Sequence, residues 1–193
     1  MEVKQDHDGV FISQKKYTRK ILKKLHMEDC KSTSTLMNQK EKFSKGDGAE
    51  KIDESKYRSV IGCLMYLTTT RLDIMFIVTL LSIFMHCASE VHFQAAKRIV
   101  RYIKGTTNYG IKYSYCQNFK LHDFSDSEWA SSIDDMRSTT GFCFSFGFRI
   151  FSWSSKKQDV IAQSTTEAKY VVANAMVNQG IWIRKILADL HME

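Results

Sequence analysis

The chain has 193 residues, 28 Lys and Arg against 21 Asp and Glu, and no proline, where ordinary usage of about 5% would give roughly ten. Polyproline recognition segments, proline-rich linkers and cis-proline turns are thereby excluded. A composition 44% hydrophobic and 25% charged, with 12 Phe, 8 Tyr and 3 Trp, excludes wholesale disorder and suffices for one domain or two small ones.

Residues 2–5 and 9–13 read as the arms of a hairpin turned by Asp6-His7-Asp8-Gly9. Tyr17, Ile21, Leu22 and Leu25 then recur at helical spacing among Lys15, Lys16, Lys20, Lys23 and Lys24, which predicts an amphipathic basic helix. From Cys30 to Glu54 the chain is polar and rich in Lys, Ser and Gly, the composition of a surface connection. Two apolar helices over 57–67 and 73–85 follow, broken at Thr68-Thr69-Thr70-Arg71. A third helix runs from an N-cap at Ser89 to Lys104, with Gly105 as its C-cap. Residues 111–115, 120–129, 142–146 and 150–153 alternate apolar with polar or small side chains and read as strands. Ser164-Thr165-Thr166-Glu167 has capping-box spacing and opens a long helix reaching His191. The expected fold class is α+β: helices first, then antiparallel strands closed by one long helix, with a domain boundary near 115–120.

Five scattered cysteines (Cys30, Cys63, Cys87, Cys116, Cys143) with no C-x-x-C spacing point to reduced thiols in an intracellular compartment. No apolar signal region follows Met1, and the apolar run 74–85 is too short to span a bilayer. The expected setting is cytoplasmic or nuclear, with no membrane partner. Net charge is +4 over residues 1–60, +5 over 61–120 and −2 over the remainder. No acidic residue lies between Glu90 and Asp123, a stretch that holds Lys97, Arg98, Arg101, Lys104, Lys112 and Lys120 among Tyr102, Tyr109, Tyr113 and Tyr115. Such a stretch suits a nucleic-acid backbone with stacking aromatics, and it equally suits a solvated helix face with inward tyrosines. His26 with Cys30, and the His86/Cys87/His92 group, carry metal-ligand residue types but no second pair to complete a site. Ser, His and Asp are too dispersed to nominate a triad.

Two long motifs, Tyr57-Arg-Ser-Val-Ile-Gly-Cys-Leu-Met-Tyr-Leu-Thr-Thr-Thr-Arg-Leu-Asp-Ile and Ala95-Ala-Lys-Arg-Ile-Val-Arg-Tyr-Ile-Lys-Gly-Thr, resemble signature segments of copia-type retrotransposon Pol polyproteins. So do Asp126-Ser-Glu-Trp-Ala, Arg137-Ser-Thr-Thr-Gly, Phe151-Ser-Trp-Ser-Ser-Lys-Lys-Gln and Ala162-Gln-Ser-Thr-Thr-Glu-Ala-Lys-Tyr, in the family's order. Leu36 and Leu72 stand where that family usually has proline, and each Pro-to-Leu change needs one cytosine-to-thymine transition. The resemblance implies that 1–115 is the C-terminal end of a reverse transcriptase, with a palm-end hairpin and thumb and connection helices. Residues 116–193 then form the N-terminal part of an incomplete ribonuclease H-like domain, in a truncated and degenerate copy.

The family's polymerase carboxylates have no counterpart here. Its ribonuclease H cleaves the RNA strand of an RNA/DNA hybrid with two Mg or Mn ions held by carboxylates. By resemblance Asp126 is the metal-bridging Asp, and Glu128, two residues on along the strand, shares its face as a weaker metal ligand. Lys169 replaces the next carboxylate, a Glu in the family, and its ammonium opposes metal binding. Glu167 is the nearest substitute, but it lies about 200° around the helix and already serves the capping box. The implied protein is a pseudoenzyme with no expected cofactor. It would retain weak, sequence-independent binding of RNA/DNA hybrid or other nucleic acid through Lys97, Arg98, Arg101, Lys104 and Lys112. Two further classes stay open: a recruited, effector-like interaction protein that self-associates or meets a protein partner through exposed apolar surface, and a ribonuclease H active only when another chain completes it.

Overall fold

Asp6 pairs with Gly9 across His7-Asp8 and joins two strands, β1 (Glu2–Asp6) and β2 (Gly9–Ser13). The computed structural model describes residues 1–38, 41–115, 120–147 and 149–192. A third strand, β3 (Gly110–Ser114), lies antiparallel to β2, from Gly9 opposite Ser114 to Ser13 opposite Gly110. Alternation in 111–115 groups this strand with the later ones; the structure returns it to the N-terminal hairpin instead. Two glycines permit that pairing. Gly9 has φ +142°, and a Cβ there would be driven into the Tyr113 carbonyl; a Cβ on Gly110 would meet the Ile12 carbonyl.

Between β2 and β3 stand four helices: α1 (Lys15–Lys24), α2 (Glu54–Leu67), α3 (Met75–Ser82) and α4 (Glu90–Gly105). Their apolar faces meet in a core of fully buried side chains that includes Tyr57, Ile61, Leu64, Leu81, Ile99 and Ile103. The helix expected over 73–85 divides. A 3-10 turn, Leu72–Ile74, precedes α3, and beyond Ser82 the amides of Ile83, Phe84 and Met85 bond three residues back, the tighter 3-10 winding. Gly105 also differs from its expected role as a cap. It stays helical, Thr106 takes the cap, and the missing Cβ leaves room for Ser32, which would lie 3.2 Å away.

The same three residues close α1 and, in the second half of the chain, a helix α5 (Thr165–Asp189). At Leu25-His26-Met27 the His26 amide bonds to Lys23 O and the Met27 amide to Leu22 O; at Leu190-His191-Met192 the pattern repeats onto Ala188 and Leu187. Each His adopts a positive φ, 52° and 55°. Both ends are Schellman motifs with histidine in the left-handed position that glycine usually takes.

The polar connection after Cys30 is irregular but fastened where it is described. Phe43 is buried, its ring 6.4 Å from that of Phe84 and 5.8 Å from that of His92. The Thr33 amide donates to Arg101 O, and the Ile52 amide to Ala88 O. Two buried polar side chains lock the helices. Gln14 donates to Tyr66 O (3.2 Å) and accepts from Thr70 Oγ1 (2.8 Å), tying the start of α1 to the end of α2. Arg71, 4% exposed, grips Asp73 with two hydrogen bonds of 2.9 and 2.7 Å and Thr106 with two more, to O (3.1 Å) and Oγ1 (2.7 Å). Burial works against the Asp73 anion, yet the Arg71 and Tyr102 hydrogen bonds hold its carboxyl below the ordinary range.

The chain divides into two compact units, Met1–Tyr115 and Cys116–Glu193. The second unit is an antiparallel meander of β4 (Leu121–Glu128), β5 (Thr139–Phe146) and β6 (Arg149–Lys157), with α5 laid across it. Phe144 of β5 is buried, 3.4 Å from where a Cβ on Gly180 of α5 would stand. Buried Gln158 donates to Thr140 Oγ1 and to Ala168 O, both at 3.0 Å, and so joins sheet to helix. Among the described residues no helix is long and apolar enough to cross a membrane.

The loop between β4 and β5 is held by charge. Lys157 Nζ lies 2.7 Å from Asp135 Oδ1 and 3.1 Å from Ser132 Oγ. Burial is the largest single influence on the Asp135 carboxyl and raises it, but the hydrogen bonds from Lys157, Ser132 and the Arg137 amide, with the Lys157 charge, together outweigh it and bring the pKa down to about 2. That value is below the unfolded one, about 3.9, so the contribution is present above about pH 4 and is lost as pH falls toward 2. Asp135 is 37% exposed, so solvent screening limits the pair to about 1 kcal/mol. Trp129, Trp153 and Trp182 are the only tryptophans and all lie in the second unit, so their fluorescence follows it. In urea melts read this way, Asp135→Asn should lower the midpoint at pH 6, with the difference from wild type narrowing as pH falls through about 2.5 toward 2. An equal deficit at both ends of that range would contradict the assignment.

Candidate functional site

β4 and the first turns of α5 carry the residues singled out for metal chemistry. Phe144 and Thr140 of β5 face α5, through the Gly180 and Gln158 contacts, and in the ladder they stand opposite Asp123 and Ser127. Directly opposed residues share a face and neighbours in a strand alternate. Leu121, Asp123, Ser125 and Ser127 therefore look toward α5, and Phe124, Asp126 and Glu128 look away. Phe124 is accordingly 61% exposed. Asp126 and Glu128 do share one face, but it is the face opposite the helix. Asp126 Oδ1 accepts from the Ser127 amide at 2.8 Å, which satisfies a donor on the outer edge of the sheet.

On α5, Lys169 is exposed. Glu167 is engaged at the helix start: its amide donates to Ser164 Oγ (3.2 Å) and its Oε2 accepts from the Gln163 amide (2.7 Å). The reach back ends one residue before the cap rather than on it. The structure thus brings Glu167 and Lys169 to one helix end and leaves Asp126 and Glu128 across the sheet. Among the described residues no three His, Cys, Asp or Glu side chains gather where a metal ion could be held. A two-metal centre does not fit the side chains in this arrangement.

The basic stretch is divided in its work. Arg98 donates to Thr35 O (3.3 Å) and Oγ1 (2.5 Å), and Lys104 Nζ to Cys30 O (2.6 Å). Both clamp the 30–35 segment along α4. Lys97 lies 4.2 Å from the centroid of the Phe93 ring and 3.9 Å from Glu90 Oε1. Arg101 is half-buried and Lys112 is exposed on β3. Lys97, Arg101 and Lys104 occur at helical spacing on α4, whereas Lys112 comes from the sheet.

Asp47, Ser89 and His92 form a polar cluster that the sequence does not group, although Ser89 reads as a cap and His92 as a metal-ligand type. Ser89 Oγ donates to Asp47 Oδ2, and the Ser89 amide donates to His92 Nδ1 at 3.1 Å. The Ser89 hydroxyl hydrogen bond is the largest influence lowering the Asp47 carboxyl below its ordinary range, ahead of the one from the Ala49 amide. Residue types suggest a triad, but the roles are wrong. The carboxylate bonds the hydroxyl instead of orienting the imidazole, His92 is fully buried and stacked 4.1 Å from Phe84, and the three together cap α4.

No protein-family model matches the chain, and no solved structure matches it. Among curated proteins, it is 38% identical over 190 residues to "Retrovirus-related Pol polyprotein from transposon RE1" of Arabidopsis thaliana; the match takes in 98% of this chain but only 13% of that polyprotein's length. It is 39% identical over 170 residues to "Uncharacterized mitochondrial protein AtMg00810" of the same plant, covering 88% of this chain and 70% of that protein. "Secreted RxLR effector protein 161" of Plasmopara viticola is 36% identical over 128 residues, 66% of this chain and 90% of that protein.

Proposed function

The chain belongs to the copia-type retrotransposon Pol family, and from that membership we propose that it is a non-catalytic nucleic-acid-binding member. In this reading the first unit corresponds to the thumb and connection of a reverse transcriptase. The second corresponds to a ribonuclease H-like fold, and the ligand is an RNA/DNA hybrid gripped by its phosphates. The observation that carries the loss of catalysis is the placement of Asp126 and Glu128 on the face away from α5, with Lys169 where the family has a carboxylate. Lys97, Arg101 and Lys112 supply the phosphate contacts, while Arg98 and Lys104 are spent on the 30–35 segment.

Three phosphate contacts give a logarithmic salt slope of about −2.7, so raising salt sixfold should weaken hybrid binding about a hundredfold. Anisotropy titrations at two salt concentrations measure this directly. The variant Arg101→Gln/Lys112→Gln should lose most of that slope. Binding indifferent to salt, or unchanged in the variant, would overturn the reading. Hybrid cleavage with Mg or Mn that disappears in Asp126→Asn would instead establish an active ribonuclease, completed by a second chain if it required one. A second reading has its own support: Phe124, Tyr170 and Trp182 are more than half exposed, and a relative named as a secreted effector is covered over nine-tenths of its length. It casts the chain as an interaction protein docking through apolar surface, for which self-association in sedimentation at low salt is the test.

A further inference from the structure

A cavity of about 430 Å³ opens where the end of α1 approaches α2 and α4, within the size range of small-molecule sites. Its floor is apolar. Leu25 and Met27 come from the Schellman turn that closes α1, Val60 from α2 and Phe93 from α4. Its rim is cationic, with one lysine from each helix: Lys24, Lys56 and Lys97.

The lysines are positioned, not merely nearby. Lys97 Nζ stands 4.2 Å and Lys56 Nζ 5.1 Å from the centroid of the same Phe93 ring. One buried aromatic thus has two ammonium groups within cation–π range of its ring at the cavity mouth. Lys24 Nζ donates to Ser59 Oγ at 2.8 Å, which fixes the third. Glu90 lies 3.9 Å from Lys97, and both of those side chains are more than a third exposed, so it offsets little. Three converging cations around an apolar floor repel one another, and an anion seated among them relieves that repulsion. The Ser59 hydroxyl is already engaged, so little remains to read a hydrogen-bonding pattern. Recognition rests on charge and shape.

We propose that this cavity binds a small organic anion: a flat or short-chain apolar body against Met27, Val60 and Phe93, with a phosphate, sulfonate or carboxylate head between Lys56 and Lys97. The site shares Lys97 with the proposed hybrid contacts but not Arg101 or Lys112, so Arg101→Gln/Lys112→Gln should bind the probe as wild type does, which tells the two readings apart. The probe is 1-naphthyl phosphate, titrated calorimetrically into the full chain, with inorganic phosphate and 1-naphthol as the head and the body alone. Saturable one-to-one binding is expected, at least about tenfold tighter than either half, a difference of roughly 1.4 kcal/mol. Lys56→Gln/Lys97→Gln should weaken it about tenfold. Ser59→Trp, at an exposed helix position, should fill the cavity and abolish it, with thermal melts confirming that both variants fold. No saturable binding at about millimolar probe, equal binding of inorganic phosphate, or unchanged binding in the double variant would overturn the proposal.

Discussion

Arg71→Ala should destabilise the first unit by about 3 kcal/mol, the low end of the range for removing one partner of a buried ion pair. The guanidinium is 4% exposed and its hydrogen bonds reach both Asp73 and Thr106. It also lies 5.6 Å from the centroid of the Tyr102 ring and 5.3 Å from that of Tyr109. Its loss strands the Asp73 carboxylate, 33% exposed, and frees the start of α3 from the end of α4. Arg71→Lys should recover less than half, because a single ammonium cannot make the fork of parallel bonds to a carboxylate. Urea melts followed by far-ultraviolet circular dichroism measure the loss, while tryptophan fluorescence tracks the second unit. A midpoint shift worth under about 1 kcal/mol would show that Arg71 is peripheral.

Gly9→Ala should cost about as much, by a different route. The residue sits at φ +142° with the Tyr113 carbonyl where a Cβ would go. A left-handed backbone costs an L residue about 1–2 kcal/mol, and the overpacking adds about 1–3 kcal/mol. The strand expected to give way is β3, since β1 pairs with β2 on the other side. Hydrogen exchange of the 111–114 amides should accelerate in the variant, with those of 57–67 much less affected. Unchanged protection in 111–114 would mean that the ladder tolerates the methyl group by shifting.

Much of the local structure is readable from residues near one another in the chain. The hairpin follows from the turn at Asp6–Gly9, α1 from its lysine-flanked apolar stripe, and the N-caps Ser89 and Ser164 from their spacing. What escapes is pairing at a distance. Nothing in 111–115 says that its partner is 9–13 rather than the next strand, because alternation reports a face and not a neighbour. Along β4, alternation correctly places Asp126 and Glu128 together. It cannot tell which face α5 covers, because that helix is apolar around much of its circumference. Val172 and Ile183 are buried while Tyr170, Val177, Ile181 and Trp182 are exposed. The Asp47, Ser89 and His92 cluster is invisible for a similar reason, since its carboxylate arrives from 42 residues away.

The position of β3 has a consequence for how the protein is made. A ribosome delivers the hairpin first and its third strand about a hundred residues later, an interval of roughly 5–20 s at ordinary elongation rates. Throughout that interval the outer edge of β2 offers unpaired amides and carbonyls to any extended chain that passes, including another nascent copy on the same message. The four helices can gather meanwhile, but the sheet closes only when Ser114 has left the exit tunnel.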